Sequence, residues 1–282
     1  MRAGVGAGCL AASLFVAGCG GALSGIFGGQ EAEPPGVEAF EFDEAKVPVG
    51  VVYHYVKSNT DGSKPERVSF YVVNRETIEA FKFREPKPQS ASHVVATMDW
   101  TRFLATRIEA RQMTRGGNER DFAVIEYSPM TQTLRAEIHG FAPNTISITQ
   151  SPFHVHSFDF GSLNLAFRHL KNPLGSFKIG IANPTYAQKG PIFVYRGAAL
   201  VSYAGDETRE NTPCHKYKID GPGLENRGGF LWVDQKEHHI VDMEISLPNH
   251  PEWVTYKLKL LSKATMKPDD WRAFMRAQLG KK

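Results

Sequence analysis

The chain has 282 residues, of which 41% are hydrophobic and 22% charged, and its formal net charge at pH 7 is +3. These values are typical of a globular protein and argue against a disordered chain. So small a net charge, without a dense basic block, gives no indication of a nucleic-acid partner, and we expect none. The length suits one large domain or two small ones.

The chain begins with an apolar segment of signal-peptide length. Arg2 precedes a run of small and apolar residues that ends in the tetrapeptide VAGC at residues 16–19. A positive start, a short apolar centre and small residues before the cleavage point indicate an export signal over residues 1–18. The run is too short and too rich in glycine to be a membrane-spanning helix.

The VAGC tetrapeptide that ends at Cys19 resembles the lipobox of bacterial lipoproteins. The resemblance implies cleavage before Cys19, a diacylglyceryl group on its thiol and often an acyl chain on the new amino terminus. Two or more chains give a stable membrane anchor, whereas one chain gives only reversible binding. Gly20 follows the anchor where the family's sorting rule would need Asp for retention, which favours the outer membrane of the cell envelope. The alternative is that Cys19 simply ends an ordinary secretory signal.

Residues 19–48 are rich in glycine, proline and acidic side chains. Such a composition buries too little surface to offset its ordering entropy, so it predicts a flexible tether between anchor and body. The alternative for Phe40 and Phe42 is that they dock on the folded body.

From residue 49 to residue 262 apolar and polar residues alternate with period two, which predicts half-buried strands of an antiparallel sheet. Two rows are predicted to face inward from the two strands of one hairpin: Val241, Met243, Ile245 and Leu247, and Val254, Tyr256, Leu258 and Leu260. Other predicted strands are 49–57, 67–73, 76–83, 101–113, 122–127, 133–138, 145–149, 177–181, 193–205, 215–220 and 228–234.

Two segments have the periodicity of a helix. Residues 162–171 place Leu163, Ala166, Phe167 and Leu170 on one face. Within residues 263–282, Pro268 and two acidic residues suit the first turn of a basic, amphipathic C-terminal helix. The predicted fold is therefore mainly β with one or two helices: a large curved antiparallel sheet or half-barrel.

Residues 159–261 carry a loose family resemblance, based on TPCHKYKI at 212–219 and FLWVD at 230–234. This order of hairpins resembles envelope domains of unknown function, which are similar in architecture to lipoprotein-localisation carriers. The resemblance implies a half-barrel of antiparallel strands wrapped over helices, with an apolar concave face. It offers no catalytic residues to carry over.

The pair His154 and His156 is the one spacing that suits a metal ion. Residues i and i+2 of a strand lie on the same face, and Asp159 is a nearby third candidate ligand. Cys214, the only cysteine left after cleavage and lipidation of Cys19, has no partner for a disulfide and is predicted to be a buried, inert thiol. No phosphate-binding loop or nucleophile elbow is present, and we expect no cofactor.

Two functions therefore remain open at the level of sequence. The first is a non-enzymatic envelope lipoprotein that binds a lipid or acyl chain, or an envelope protein partner, on a concave apolar face. The alternative is a metal-assisted hydrolase that uses His154 and His156.

Overall fold

The computed structural model describes residues 36–85, 89–185, 190–247 and 250–280. The lipobox and Cys19 lie outside the described residues, so lipidation stays a prediction. Within the described ranges, no helix combines the length and the apolar character that a membrane crossing requires. The strands are β1 Val51–Asn59, β2 Glu66–Val72, β3 Thr77–Phe83, β4 Ser90–Asp99, β5 Leu104–Thr114, β6 Glu119–Ser128, β7 Thr133–Ile138, β8 Asn144–Ser147, β9 Phe153–Val155, β10 Ser176–Pro184, β11 Phe193–Arg209, β12 Thr212–Asp220, β13 Gly229–Asp234, β14 Ile240–Ser246 and β15 Thr255–Thr265. The α-helices are α1 Gly161–Ala166 and α2 Pro268–Gly280.

All strands of the described residues belong to one sheet, in the order β8-β7-β6-β5-β4-β3-β2-β1-β15-β14-β13-β12-β11-β10-β9. Neighbours are antiparallel except β9 and β10, which are parallel. Two meanders meet where β1 pairs with β15, the arrangement expected of strands joined by short turns. The prediction of a large curved antiparallel sheet with one or two helices is confirmed.

The curvature brings the two ends of the sheet close together. The side-chain amide of Asn144 in β8 donates to the carbonyl of Phe193 in β11 at 2.9 Å and accepts from its N–H at 3.1 Å. The ring of Tyr127 in β6 lies 4.9 Å from that of Phe153 in β9. The side-chain amide of Asn144 thus makes the two hydrogen bonds that the backbone of a neighbouring strand would make, and it joins the two ends of the sheet.

Two strands were absent from the sequence prediction. β4 is covered on both faces, because Ala91 packs beneath the C-terminal helix while Val94 faces the interior. A strand buried on both sides loses the alternation by which strands are predicted. β9 has only three residues and all of them are buried.

The predicted inward row of β14 is partly wrong. The pairing of β13 with β14 shifts register at Trp232, so Ile240 takes the inward position and Val241 turns outward to pack on Trp232. A bulge of one residue moves a side chain to the other face. Val254, also predicted to face inward, precedes β15 and is 47% exposed.

Residues 36–48, the last part of the predicted tether, pack on the body. Phe40 is buried and its ring stacks on Phe103 at 4.9 Å and meets Phe177 edge-on at 5.1 Å. Backbone bonds join this arm to residues 169–171, including Glu41 N–H to the carbonyl of His169 at 2.8 Å. The docking alternative for Phe40 therefore describes this segment better than a free tether.

The chain from residue 156 to residue 170, here called the internal segment, lies inside the curved sheet. It contains a 3-10 helix at His156–Phe158, α1, and a second 3-10 helix at Phe167–His169. The predicted helix over 162–171 is thus present in two shorter pieces. Gly161 lies so close to Phe70 of β2 that a Cβ would come within 2.7 Å of its ring, which makes glycine necessary there.

The helix α2 lies on the outer face of the sheet. Trp271, Met275 and Leu279 are its buried residues and form one apolar cluster with the outer side chains of β1 to β5. The indole N–H of Trp271 donates to Glu79 Oε2 at 2.5 Å, which fixes the helix on β3. The apolar stripe of α2 therefore covers the outside of the sheet and leaves the interior to the internal segment.

The revised register predicts opposite outcomes for two apolar residues of the same sequence pattern. We expect Ile245→Asp, at a side chain 2% exposed, to abolish cooperative folding, because an unpaired buried carboxylate costs more than the about 2 to 5 kcal/mol of an alanine truncation. Val254→Asp should change the free energy of unfolding by about 0.5 kcal/mol or less. Urea denaturation followed by circular dichroism measures both, and equal destabilisation would contradict the register.

Candidate functional site

A cavity of about 550 Å³ lies against the inward face of strands β3 to β7. Its volume is within the range of sites that bind small molecules. The lining is apolar except for four residues, Lys82, Ser92, Ser157 and Thr185. The apolar lining consists of Val94, Ile108, Ala110, Phe122, Ala123, Ile125, Ile138, Phe141, Phe158, Pro184, Ile192 and Phe193.

Small side chains leave this space open. Ala110 of β5 and Ala123 of β6 are direct partners in the sheet, and both line the cavity. The pairing then skips Phe122, because Arg111 faces Asp121. Such a bulge redirects a side chain, and here the ring of Phe122 lines the cavity while remaining 50% exposed. The sequence of β5 and β6 thus produces both the space and an aromatic rim.

The internal segment fills the other half of the interior. Phe158 forms the boundary, because it lines the cavity and packs edge-on against Phe70 at 5.7 Å. Beyond it, Asn164 donates to the hydroxyl of Tyr55 at 2.9 Å and accepts from the N–H of Ile240 at 2.7 Å. The concave side is therefore packed beneath β1, β2 and β14 and open beneath β3 to β7.

A second, more polar concavity of about 680 Å³, here called the groove, adjoins the cavity. The two share Lys82, Ser92 and Phe122. The remaining lining of the groove is Glu66, Phe83, Arg84, Glu85, Gln89, Ser90, Ala91, Arg111, Gln112 and Arg120. The apolar cavity thus continues into a groove that carries most of the charged side chains.

A buried ion cluster lies between the internal segment and the sheet. Asp159 is 2% exposed, with Lys57 Nζ 3.3 Å from its Oδ1 and Lys82 Nζ 2.5 Å from its Oδ2. Glu66 pairs with Lys57, and the hydroxyl of Tyr256 donates to Asp159 Oδ1 at 3.2 Å. Burial opposes ionisation, but the two ammonium groups outweigh it and hold the pKa of Asp159 below its usual range.

The two histidines predicted as metal ligands are both buried, but they do not share one face of a strand. His154 is in β9, and its Nδ1 lies 2.8 Å from Ser162 Oγ. His156 begins the 3-10 helix, and its ring packs against Phe160 and Tyr256. Burial lowers the pKa of each to about 3, so both are neutral near pH 7.

Asp159, the third predicted ligand, already has both carboxylate oxygens engaged by lysines. Over the described ranges of the chain, no group of three or more His, Cys, Asp or Glu side chains is placed to hold a metal ion. The arrangement of His154, His156 and Asp159 therefore gives no support to the metal-assisted hydrolase. Cys214 is buried on the outer face beside Trp232, away from the interior.

The residues that line the cavity were not identified from the sequence. The sequence carries only a weak signal of the cavity. One part of it is that Ala110 and Ala123 occupy inward positions where a closed core would have larger side chains. A further signal is Phe122 and Phe141, two aromatic rings about half exposed in a polar part of the chain.

Comparisons with known proteins give only distant likenesses. No family model and no curated protein matches the chain. It is similar to a domain provisionally described as an outer membrane lipoprotein-sorting protein, from Vibrio parahaemolyticus (TM-score 0.33, 7% identity, 86% of this chain and 98% of that chain). It is also similar to a β-barrel-like protein of domain family DUF1849 from Brucella abortus (TM-score 0.35, 8% identity, 77% of this chain and 98% of that chain). A DUF1329 family protein from Desulfovibrio piger is similar as well (TM-score 0.26, 8% identity, 78% of this chain and 88% of that chain). The description of the site therefore rests on its own geometry.

Burial of uncharged histidines makes the fold sensitive to acid. Burial lowers the pKa to about 3 or 4 at five positions: His154, His156, His169, His239 and His250. These five histidines take up protons near pH 6.5 in the unfolded chain, but only at about pH 4 or below in the folded protein. Their contribution to the free energy of unfolding therefore falls as the pH drops below 6.5. His93 acts in the opposite direction, because Glu79 and Glu119 outweigh its burial and raise its pKa; its contribution is present below pH 6.5 and is lost at higher pH.

We expect His156→Leu to reduce the loss of stability in acid. Each such histidine contributes about 1.4 kcal/mol per pH unit to the slope of unfolding free energy below pH 6.5, and leucine cannot take up a proton. Urea denaturation at pH 7.5 and pH 5.5 measures the slope. His139→Leu, at an exposed position, is the control and should leave it unchanged. A slope as steep in His156→Leu as in the wild type would contradict the neutral, buried state of His156.

Proposed function

We propose that this protein is a non-enzymatic cell-envelope lipoprotein, anchored through Cys19, whose body binds the apolar chain of a lipid in the cavity. The observation that carries the proposal is the open, apolar space beneath β3 to β7, next to the half of the interior that the internal segment packs. An apolar chain gains about 0.8 kcal/mol for each methylene group that it buries, so a cavity of this kind needs few polar contacts for useful affinity.

The polar groups of the interior support binding rather than catalysis. Asp159, Lys57 and Lys82 are held in mutual ion pairs, and His154 is paired with Ser162. A general acid or base must reach the substrate with a free proton or lone pair. The four polar residues on the cavity wall include no histidine and no carboxylate.

The short chain between Cys19 and the body supports a role near a lipid surface. The described structure begins at residue 36, and residues 19–35 link Cys19 to the docked arm. At about 3.3 to 3.6 Å per residue, these 17 residues span at most about 60 Å. A lipidated Cys19 would therefore keep the cavity within reach of the membrane that supplies its ligand.

Filling the cavity from the protein side tests the binding function. We expect Ala110→Phe to weaken the binding of hexadecanol at least tenfold. The added ring would fill the part of the cavity that lies against β5 and β6, and the fold should persist. Ala273→Phe, at an exposed position on α2, is the matched control and should bind as the wild type does. Fluorescence displacement measures affinity, and thermal denaturation checks the fold. Unchanged affinity in Ala110→Phe, or no binding by the wild type, would contradict the proposal.

The anchor is tested separately. We expect Cys19→Ser to abolish lipidation, so that the protein partitions into the aqueous phase of a Triton X-114 separation instead of the detergent phase. Cys214→Ser is the matched control. That thiol is buried in the body, so its substitution should leave partitioning unchanged. Detergent-phase recovery of Cys19→Ser equal to that of the wild type would rule out the lipobox interpretation.

A further inference from the structure

The cavity has a polar end. Lys82 of β3 and Ser92 of β4 are direct partners in the sheet, and they are two of the three residues that the cavity shares with the groove. A ligand with a polar head and an apolar chain can lie in the cavity with its head at this junction. The head would then reach the groove, while the chain extends toward Phe158 and Phe193.

Cationic side chains outnumber acidic ones in the lining of the groove, and carboxylates just outside it pair with several of them. Its cationic side chains are Lys82, Arg84, Arg111 and Arg120, and its acidic ones are Glu66 and Glu85. Two of the arginines are engaged in ion pairs: Arg84 with Glu252 and with Glu66 of the groove, and Arg111 with Glu109, Glu119 and Asp121.

Arg120 differs from the other arginines of the groove. It lies opposite Gln112 in the pairing of β5 with β6, and no ion pair of its guanidinium is found within the described part of the chain. Lys82 also keeps donor capacity, because its ammonium group has three N–H donors and two are directed to Ser157 O and Asp159. An anionic group at the junction would therefore meet two cationic donors.

The size of the cavity limits the number of chains. A methylene group occupies roughly the volume of a water molecule in the liquid, about 30 Å³, so 550 Å³ corresponds to about 18 such groups. One long acyl chain has about this volume, so the cavity suits a single chain.

Building on the proposed function, we propose that the ligand is a single-chain amphiphile with an anionic head. Its chain fills the cavity, and its carboxylate or phosphate lies at the junction with the groove and is bound by Arg120 with help from Lys82. A guanidinium forms paired, charge-assisted hydrogen bonds with either kind of anion. Burial of the chain supplies most of the affinity, and the head determines the orientation and the selectivity.

Three probes of equal chain length test the proposal: hexadecanol, hexadecanoate and hexadecyl phosphate, each titrated at pH 8 at concentrations where the free probe is monomeric. We expect the wild type to bind at least one anion about tenfold more tightly than the alcohol, with one chain per protein by native mass spectrometry. Arg120→Gln should reduce that preference to about threefold or less and leave hexadecanol binding unchanged. Arg135→Gln, on the exposed face of β7, is the matched control and should keep the full preference.

Each outcome separates this inference from the proposed function. Equal binding of all three probes overturns the anionic head but leaves chain binding intact, whereas no binding of any probe contradicts the proposed function itself. A full preference retained in Arg120→Gln overturns the placement of the head in the groove, and two or more chains per protein overturn the single-chain limit. A preference for hexadecanoate identifies a fatty acid, and a preference for hexadecyl phosphate identifies a phosphate monoester.

Discussion

The carboxylate of Asp159 is the contact on which the interior depends. It joins the internal segment to β1 through Lys57, to β3 through Lys82 and to β15 through Tyr256. A buried ion pair adds little net stability over apolar packing, but it selects one geometry, since loss of one partner costs about 3 to 5 kcal/mol. Asp159 and Phe160 also have left-handed backbone angles, with φ of 50° and 54°. Such strain persists only where the surroundings fix the residues, as the lysines do here.

This anchoring point determines which half of the interior is filled. Because Asp159 is held at β1 and β3, α1 continues from there beneath β1 and β14, where Asn164 bonds to Tyr55 and Ile240. Phe158, on the other side of Asp159, ends the filled half. The open space beneath β5 and β6 is thus a consequence of the path of the internal segment, together with the small side chains opposite it.

Local patterns were sufficient to predict the sheet, but they could not place the site. The alternation of apolar and polar residues identifies strands with one solvent-exposed face, such as β7. It fails for β4, because both faces of that strand are covered. It also misplaced Val241, because a bulge depends on the pairing partner and not on the strand's own sequence. The pattern around His154 suggested ligands, while the fold uses Asp159 as an ion-pair centre with Lys57, which lies about a hundred residues earlier in the chain. A cavity is likewise formed by side chains distant in sequence, so no local window contains its signal.

The open half of the interior is too large to be a packing defect. By the scale for engineered core cavities, about 24 cal/mol per Å³, a sealed void of 550 Å³ would cost on the order of 10 kcal/mol. That is comparable with the whole net stability of a typical domain. The cavity is not sealed, because it continues into the groove and solvent can enter it, but its apolar walls offer such water few of the two to four polar partners that it needs. An apolar chain gains about 25 cal/mol for each Å² of apolar surface that it covers, so it is the occupant that these walls favour.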